Sequence, residues 1–221
     1  MDYLDYYFNS NKKSYTSGID SPELKGWYSM ATTYPYPVHY SFNSRGFRGK
    51  EWPKNLSNVL WCIGDSFTAG IGVPFEHTWP SILQHKSGIQ CINLGINGAA
   101  NRLIVNIAKQ VITNYNPKYI AIMWSFPHRR YEDPWKLTHF TNRPLSEDLE
   151  HFKDCFNEVN SLFPSTYNTI IPELGLPIIE DLTNKLYKYP ILDRGRDNYH
   201  FDYLTAEVIA ESIIEHYNLE R

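Results

Sequence analysis

A short apolar run, Val59-Leu60-Trp61-Cys62-Ile63, stops at Gly64 and leads straight into Asp65-Ser66. Consecutive apolar residues without alternation suit a strand covered on both faces, the condition of a parallel sheet. Parallel strands cannot be joined by tight turns, so the chain must supply long crossovers, usually helical. It does. Residues Phe75 to Lys86 read as a helix and Ile89 to Leu94 as a second strand. Ala100 to Asn114 reads as an amphipathic helix with Leu103, Ile104, Ile107, Ala108, Val111 and Ile112 on one face. Pro117 precedes a third strand, Tyr119 to Trp124. This alternation predicts an α/β fold with a central parallel sheet, right-handed crossovers and helices on both faces. All three strands then end at one edge, where open sheets of this kind bind ligands.

Beyond a long loop after Trp124, a helix is expected from Ser146 to Leu162, with Leu149, Phe152, Phe156, Val159 and Phe163 in helical repeat. Thr169-Ile170-Ile171 and Pro177-Ile178-Ile179 read as short strands. Tyr203 to Tyr217 reads as a last helix with Leu204, Val208, Ile209 and Ile213 inward. Residues 1–56 are rich in Tyr, Asn, Ser and Pro, with turn signals at Pro35, Pro37, Gly46, Gly49 and Pro53. They are expected to form an irregular extension packed on a domain spanning 57–221. At 221 residues the chain suits one compact domain.

Composition narrows the function. A net charge of −3 gives no electrostatic footprint for nucleic acid or an anionic membrane. The apolar runs fall short of the roughly 20 residues of a membrane span, and the first residues lack the basic start and apolar core of a secretory leader. The default expectation is a cytoplasmic protein, or a virion-associated one if the source is viral. Cys62, Cys91 and Cys155 form no CxxC pair and read as buried free thiols. The histidines show no HExxH or His-x-Glu spacing, so neither a metal nor any other cofactor is expected. Gly64 to Gly72 lacks the Gly-Lys-Ser/Thr ending of a phosphate loop.

The chemistry concentrates at two places. Ser66, just past the first strand, stands at the ligand-binding edge on a turn able to present its hydroxyl and its own backbone N–H. A serine hydroxyl needs an adjacent base to become a nucleophile near neutral pH. Asp197-Asn198-Tyr199-His200 precedes the last helix, and its spacing lets Asp197 orient one ring nitrogen of His200 while the other faces the serine. Either motif alone would also fit a capped turn.

Together they resemble the SGNH/GDSL hydrolase superfamily over residues 58 to 217. Gly64-Asp65-Ser66 looks like its nucleophile block and Asp197-x-x-His200 like its terminal acid–base block. Asn93-Leu94-Gly95-Ile96-Asn97-Gly98 resembles the block whose last glycine offers an N–H to the oxyanion, and Trp79-Pro80 also resembles many members. The resemblance implies a three-layer, flavodoxin-like fold and hydrolysis of an ester, thioester or O-acyl group through an acyl-serine. In that reading Ser66, Asp197 and His200 are catalytic, and the N–H groups of Ser66 and Gly98 hold the oxyanion.

One block departs. The family's Gly-x-Asn-Asp, whose Asn donates to the oxyanion, is replaced by Ser125-Phe126-Pro127-His128, with Pro127 at the Asn position. Proline has no N–H, and one lost oxyanion donor costs roughly 3–4 kcal/mol where it has been measured. Substitutes and substrate contacts are sought among Ser125, His128, Arg129 and Arg130, together with Asp65 and Asn97 beside the two matching blocks. Of the two arginines, one is expected to point inward. Trp124, Phe126, Tyr131 and Trp135 crowd the same loop and could stack on a sugar or acyl chain or simply anchor it. Upstream, Asn43-Ser44-Arg45-Gly46-Phe47-Arg48-Gly49 resembles a segment found before the nucleophile in some such proteins. It reads as a turn that plugs Phe47 into the domain and leaves Arg48 to pair with a carboxylate. Three functions stay open: an esterase acting on a small ester or an acetylated carbohydrate, a weakly active or non-catalytic glycan- or protein-binding module, and an O-acyltransferase.

Overall fold

The computed structural model of the chain describes residues 4, 18–20, 38–133, 136–138, 143–171 and 185–219. Strands β1 (Gly18–Asp20) and β2 (Val38–Tyr40) pair antiparallel ahead of the main sheet. Then follow β3 (Val59–Gly64), the one-turn helix α1 (Ser66–Ala69), α2 (Trp79–Ser87), β4 (Gln90–Gly95), α3 (Asn101–Tyr115) and β5 (Tyr119–Met123). A hairpin of β6 (Arg130–Asp133) and β7 (Lys136–Thr138) leads to α4 (Leu145–Leu162), β8 (Tyr167–Ile170), β9 (Tyr187–Lys188) and α5 (Tyr203–Tyr217). The main sheet has the order β4-β3-β5-β8-β9, parallel throughout.

The unbroken apolar run of β3 is explained by two cores. Val59, Trp61 and Ile63 face α3 and α4, packing with Ile104, Val111, Ile122 and Phe152. Leu60 and Cys62 face α2 and α5, packing with Trp79, Leu83, Ile209 and Ile213. Each such side chain contributes about 1.5–3 kcal/mol by leaving water. Lys86 bridges α2 to Glu207 and Glu211 of α5, and Arg102 and Lys109 bridge α3 to Glu158 of α4. These surface pairs orient the helices more than they stabilise them.

Gly64 pairs with both Gly95 and Met123, so β3, β4 and β5 end level. The chain leaves β3 for β4 on one side and leaves β5 for β8 on the other. The β3/β5 boundary is therefore the switch point, where a crevice opens beyond the strand ends.

Three details differ from the sequence reading. The helix expected over Phe75 to Lys86 is split: Phe75–His77 is a 3-10 turn, and α2 starts after Thr78, whose side chain accepts the Ser81 N–H. Pro80 suits the first turn of α2, where no N–H is needed. In α5, Leu204 and Val208 are 52% and 38% exposed, while Thr205, Ala206, Ile209, Ala210 and Ile213 face inward. The segment before β3 contains the β1–β2 pair as well as irregular chain. Pro177 to Ile179 and Trp135 lie outside the described residues, as does the Tyr131 side chain.

Candidate active site

Ser66 opens α1 directly after β3, and Asp65 caps that helix by accepting the Phe67 N–H at 3.0 Å. The turn lies flat on the strand ends only because glycines leave room. A Cβ on Gly95 would stand 2.1 Å from the Ala69 nitrogen, and one on Gly64 would stand 2.2 Å from Thr68 Oγ1. Asn93 locks the same contact, donating to Thr68 O at 2.9 Å and accepting the Gly95 N–H at 2.8 Å. The Ser66 N–H takes no acceptor among the described residues.

The partner arrives from far along the chain. Asp197 Oδ1 accepts the N–H groups of Tyr199 and His200, both at 3.0 Å, and Oδ2 lies 2.5 Å from His200 Nδ1. His200 Nε2 is 2.8 Å from Ser66 Oγ. With Nδ1–H donating to the carboxylate, Nε2 is left to accept the serine hydroxyl, the tautomer a general base requires. Asn198 takes the left-handed conformation that closes this turn (φ 53°), and the Gly195 N–H donates to His200 O at 2.8 Å. Gly72 lies close against Asp197, where a Cβ would fall 2.8 Å from Cγ. The Phe67 ring covers the imidazole at 4.5 Å between centroids. Ser66, His200 and Asp197 are 2%, 5% and 9% exposed. Burial pushes the Asp197 carboxyl up, but the hydrogen bond and charge of His200 and the two backbone N–H groups outweigh it and hold it below the usual range.

On the other side of the crevice, the chain leaving β5 is pinned by Asn101, the first residue of α3. Its Oδ1 accepts the Ser125 N–H at 2.9 Å and its Nδ2 donates to Ser125 O and Phe126 O, each at 3.2 Å. Pro127 leads a turn closed by the Arg129 N–H to Phe126 O at 3.1 Å, a position that suits its fixed φ. The turn lays the Arg129 guanidinium over the Phe126 ring, 4.3 Å from the centroid. Arg129 Nη1 donates to Asp65 Oδ2 at 3.0 Å and to Ser125 Oγ at 2.9 Å, and Ser125 Oγ donates to Asp65 Oδ2 at 2.7 Å. Asp65 thus joins the turns that follow β3 and β5.

The candidate residues separate accordingly. Ser66, Asp197 and His200 converge, and Asp65, Ser125 and Arg129 form a buried cluster beside them. Ser125 directs its hydroxyl proton at Asp65, so it is no replacement oxyanion donor. Arg130 turns away: its Nε and Nη2 donate to Asp148 Oδ1 at 3.1 and 2.9 Å, and Nη2 also donates to Glu147 O, which ties the hairpin to α4. As a substrate contact it is corrected to a brace. His128 is half-buried with its ring 5.2 Å from that of Phe126. Asn97 is exposed on the turn after β4, and Gly98 follows it at φ 77°, its N–H without an acceptor among the described residues. Trp124 is an anchor, buried against Phe152 and Phe156 with Nε1 donating to Asn168 Oδ1 at 2.9 Å.

Phe47 is buried as the sequence suggested, but Arg48 meets no carboxylate among the described residues. Its guanidinium donates to the carbonyls of Ala69, Gly70, His39 and Val73, fastening the segment before β3 to the loop behind the serine. Burial lowers its pKa to about 10. Asn101 was not singled out in the sequence, where an Asn ahead of an apolar helix reads as an ordinary cap. Among the described residues, no group of three or more His, Cys, Asp or Glu is placed to hold a metal ion, and no helix is long and apolar enough to cross a membrane.

No family model matches the chain, and no curated protein does. Solved structures do. A family two carbohydrate esterase from Clostridium thermocellum, in complex with cellohexaose, aligns with a TM-score of 0.51 at 13% identity, over 77% of this chain and 67% of its own. A family 3 carbohydrate esterase from the same organism gives 0.47 at 13% identity, over 72% and 94%. A lipolytic protein of the G-D-S-L family from Veillonella parvula gives 0.48 at 15% identity, over 71% and 96%. At such identities the likeness is one of architecture, and the chain shares the α/β fold of that family two carbohydrate esterase.

Proposed function

We propose that the protein is a serine esterase working through an acyl-Ser66 intermediate. The observation that carries this reading is the unbroken chain from Asp197 Oδ2 through His200 to Ser66 Oγ. His200 Nε2 removes the hydroxyl proton as Oγ attacks the ester carbonyl, and the imidazolium that forms is stabilised by Asp197. The oxyanion is met by the open N–H groups of Ser66 and Gly98. His200 returns the proton to the departing alcohol, and a second cycle with water releases the acid and regenerates the serine. The carbohydrate esterases that share the fold make an O-acetylated carbohydrate the first substrate to try.

Pro127 favours a second reading, a weakly active binding module, because it supplies no donor where the fold's hydrolases use one. A fluorophosphonate probe separates the two, since only a serine activated by its base labels. The esterase reading expects Ser66 to label in the wild type, with labelling and hydrolysis of p-nitrophenyl acetate lost in Ser66→Ala and His200→Ala. Equal background hydrolysis in all three proteins, with no labelling, moves the assignment to the binding module.

A further inference from the structure

Among the described residues Arg129 is the cation held in the Asp65 cluster beside the serine, and only half of it is used. Nη1 serves Asp65 Oδ2 and Ser125 Oγ, whereas Nε and Nη2 take no hydrogen-bond partner among the described residues. Unlike Nε of Arg48, they are not sealed from solvent, although the residue as a whole is only 9% exposed. Nε–H and the adjacent Nη2–H are parallel donors that match the two oxygens of a carboxylate. The fork is also held rigidly. Asp65 grips one end, the Phe126 ring supports the face, and the Pro127 turn fixes the backbone. Asp65 stabilises the guanidinium while the site is empty, so the charge needs no ligand for the fold to hold. Its bond to Asp65, the residue that precedes Ser66, places the guanidinium beside the turn that carries the serine.

From these contacts we propose that Arg129 forms a carboxylate subsite, and that the preferred ester carries a free carboxylate near the scissile bond. The proposal rests on the esterase reading and adds a substrate class to it. A neutral ester leaves two buried-edge donors unmatched, while an acidic one satisfies both, and hydrogen bonds to a charged group are worth about 1.5–3 kcal/mol, roughly 10- to 100-fold in specificity.

The test compares kcat/KM for matched pairs: mono-4-nitrophenyl succinate and glutarate against 4-nitrophenyl butyrate and pentanoate, and 4-acetoxybenzoate against phenyl acetate. The wild type is expected to prefer at least one anionic series about 10- to 100-fold. In Arg129→Gln that ratio collapses toward one. Arg129→Lys, which keeps a charge opposite Asp65 but not the fork, recovers only part of it and covers the case in which the glutamine variant folds poorly. A wild-type ratio near one in all pairs, or a ratio unchanged in both variants, overturns the subsite while leaving the esterase intact. Absence of Ser66 labelling together with absence of turnover overturns the esterase reading and the subsite with it.

Discussion

The turns that leave β3 and β5 sit side by side at the switch point and handle their polar groups in opposite ways. The turn after β3 keeps its functional groups open: Ser66 presents a hydroxyl to His200, and its backbone N–H takes no acceptor among the described residues. The turn after β5 closes inward: Ser125 N–H and O go to Asn101, Ser125 Oγ goes to Asp65, Pro127 has no N–H, and the Arg129 N–H closes the turn. Among the described residues the outer edge of Arg129, Nε and Nη2, takes no hydrogen-bond partner there. One turn is built to react and the other to be a rigid wall, and the same carboxylate, Asp65, caps the first and anchors the second.

The largest effect expected is on the reactive side. Asp197→Asn keeps the shape of the 195–200 turn but favours the wrong imidazole tautomer, and kcat for an activated ester should fall about 10⁴-fold. A drop below tenfold would show that His200 does not depend on Asp197. Asp65→Ala strikes both turns, leaving the buried Arg129 without its carboxylate and α1 without its cap, so unfolding in urea should show a loss of roughly 3–5 kcal/mol. A loss under 1 kcal/mol would break the claim that one residue joins the turns. Asn101→Ala removes three hydrogen bonds to the chain leaving β5, and orphaned buried backbone groups cost about 1–3 kcal/mol each. The same unfolding experiment should show at least 2 kcal/mol, with kcat falling as the wall loosens.

Ser125→Ala separates hydroxyl from charge in the cluster. Asp65 keeps Arg129, so the expected loss is near 1 kcal/mol, and a loss as large as that of Asp65→Ala would make Ser125 the anchor instead. A pH slope is expected behind the wall. Burial, then the charges of Arg130 and Arg102, push His151 down to about 4 from 6.5. Its folded-state pKa is the lower one, so the unfolded chain binds the extra proton first and stability falls as pH drops from 6.5 toward 4. Urea midpoints across that range should flatten slightly in His151→Gln. The depressed Asp197 carboxyl contributes stability that is present in full above its unfolded value and is lost, with the same sign, as pH falls and the folded group protonates.

The apolar strands and amphipathic helices were legible because their patterns answer to one physical demand, burial on one face or two. Val59 to Ile63 could be read as doubly covered before either core was known. Leu204 and Val208 misled because the helix is apolar on more than one face: the buried stripe of α5 is Thr205, Ala206, Ile209, Ala210 and Ile213. The β6–β7 hairpin carries no apolar alternation, so the segment after Trp124 read only as a long loop. The pairing of Ser66 with His200 and Asp197, on which the proposed esterase rests, was legible from sequence spacing and surroundings. The Asp65, Ser125, Arg129 and Asn101 network was not, because its members are brought together by strand order, and nothing in an isolated Ser, Arg or Asn states what lies on the neighbouring strand.

The hydrogen bond between His200 and Ser66 spans 134 positions of chain. Ribosomes add about 5–20 residues per second, so the serine waits on the order of ten seconds after its own synthesis before its base exists. A nascent or truncated chain lacking the Asp197–His200 turn holds an inert hydroxyl in a sheet that can already have formed. Fluorophosphonate labelling of Ser66 would consequently report completion of the fold, timing the docking of its last segment as a stopwatch built into the polypeptide.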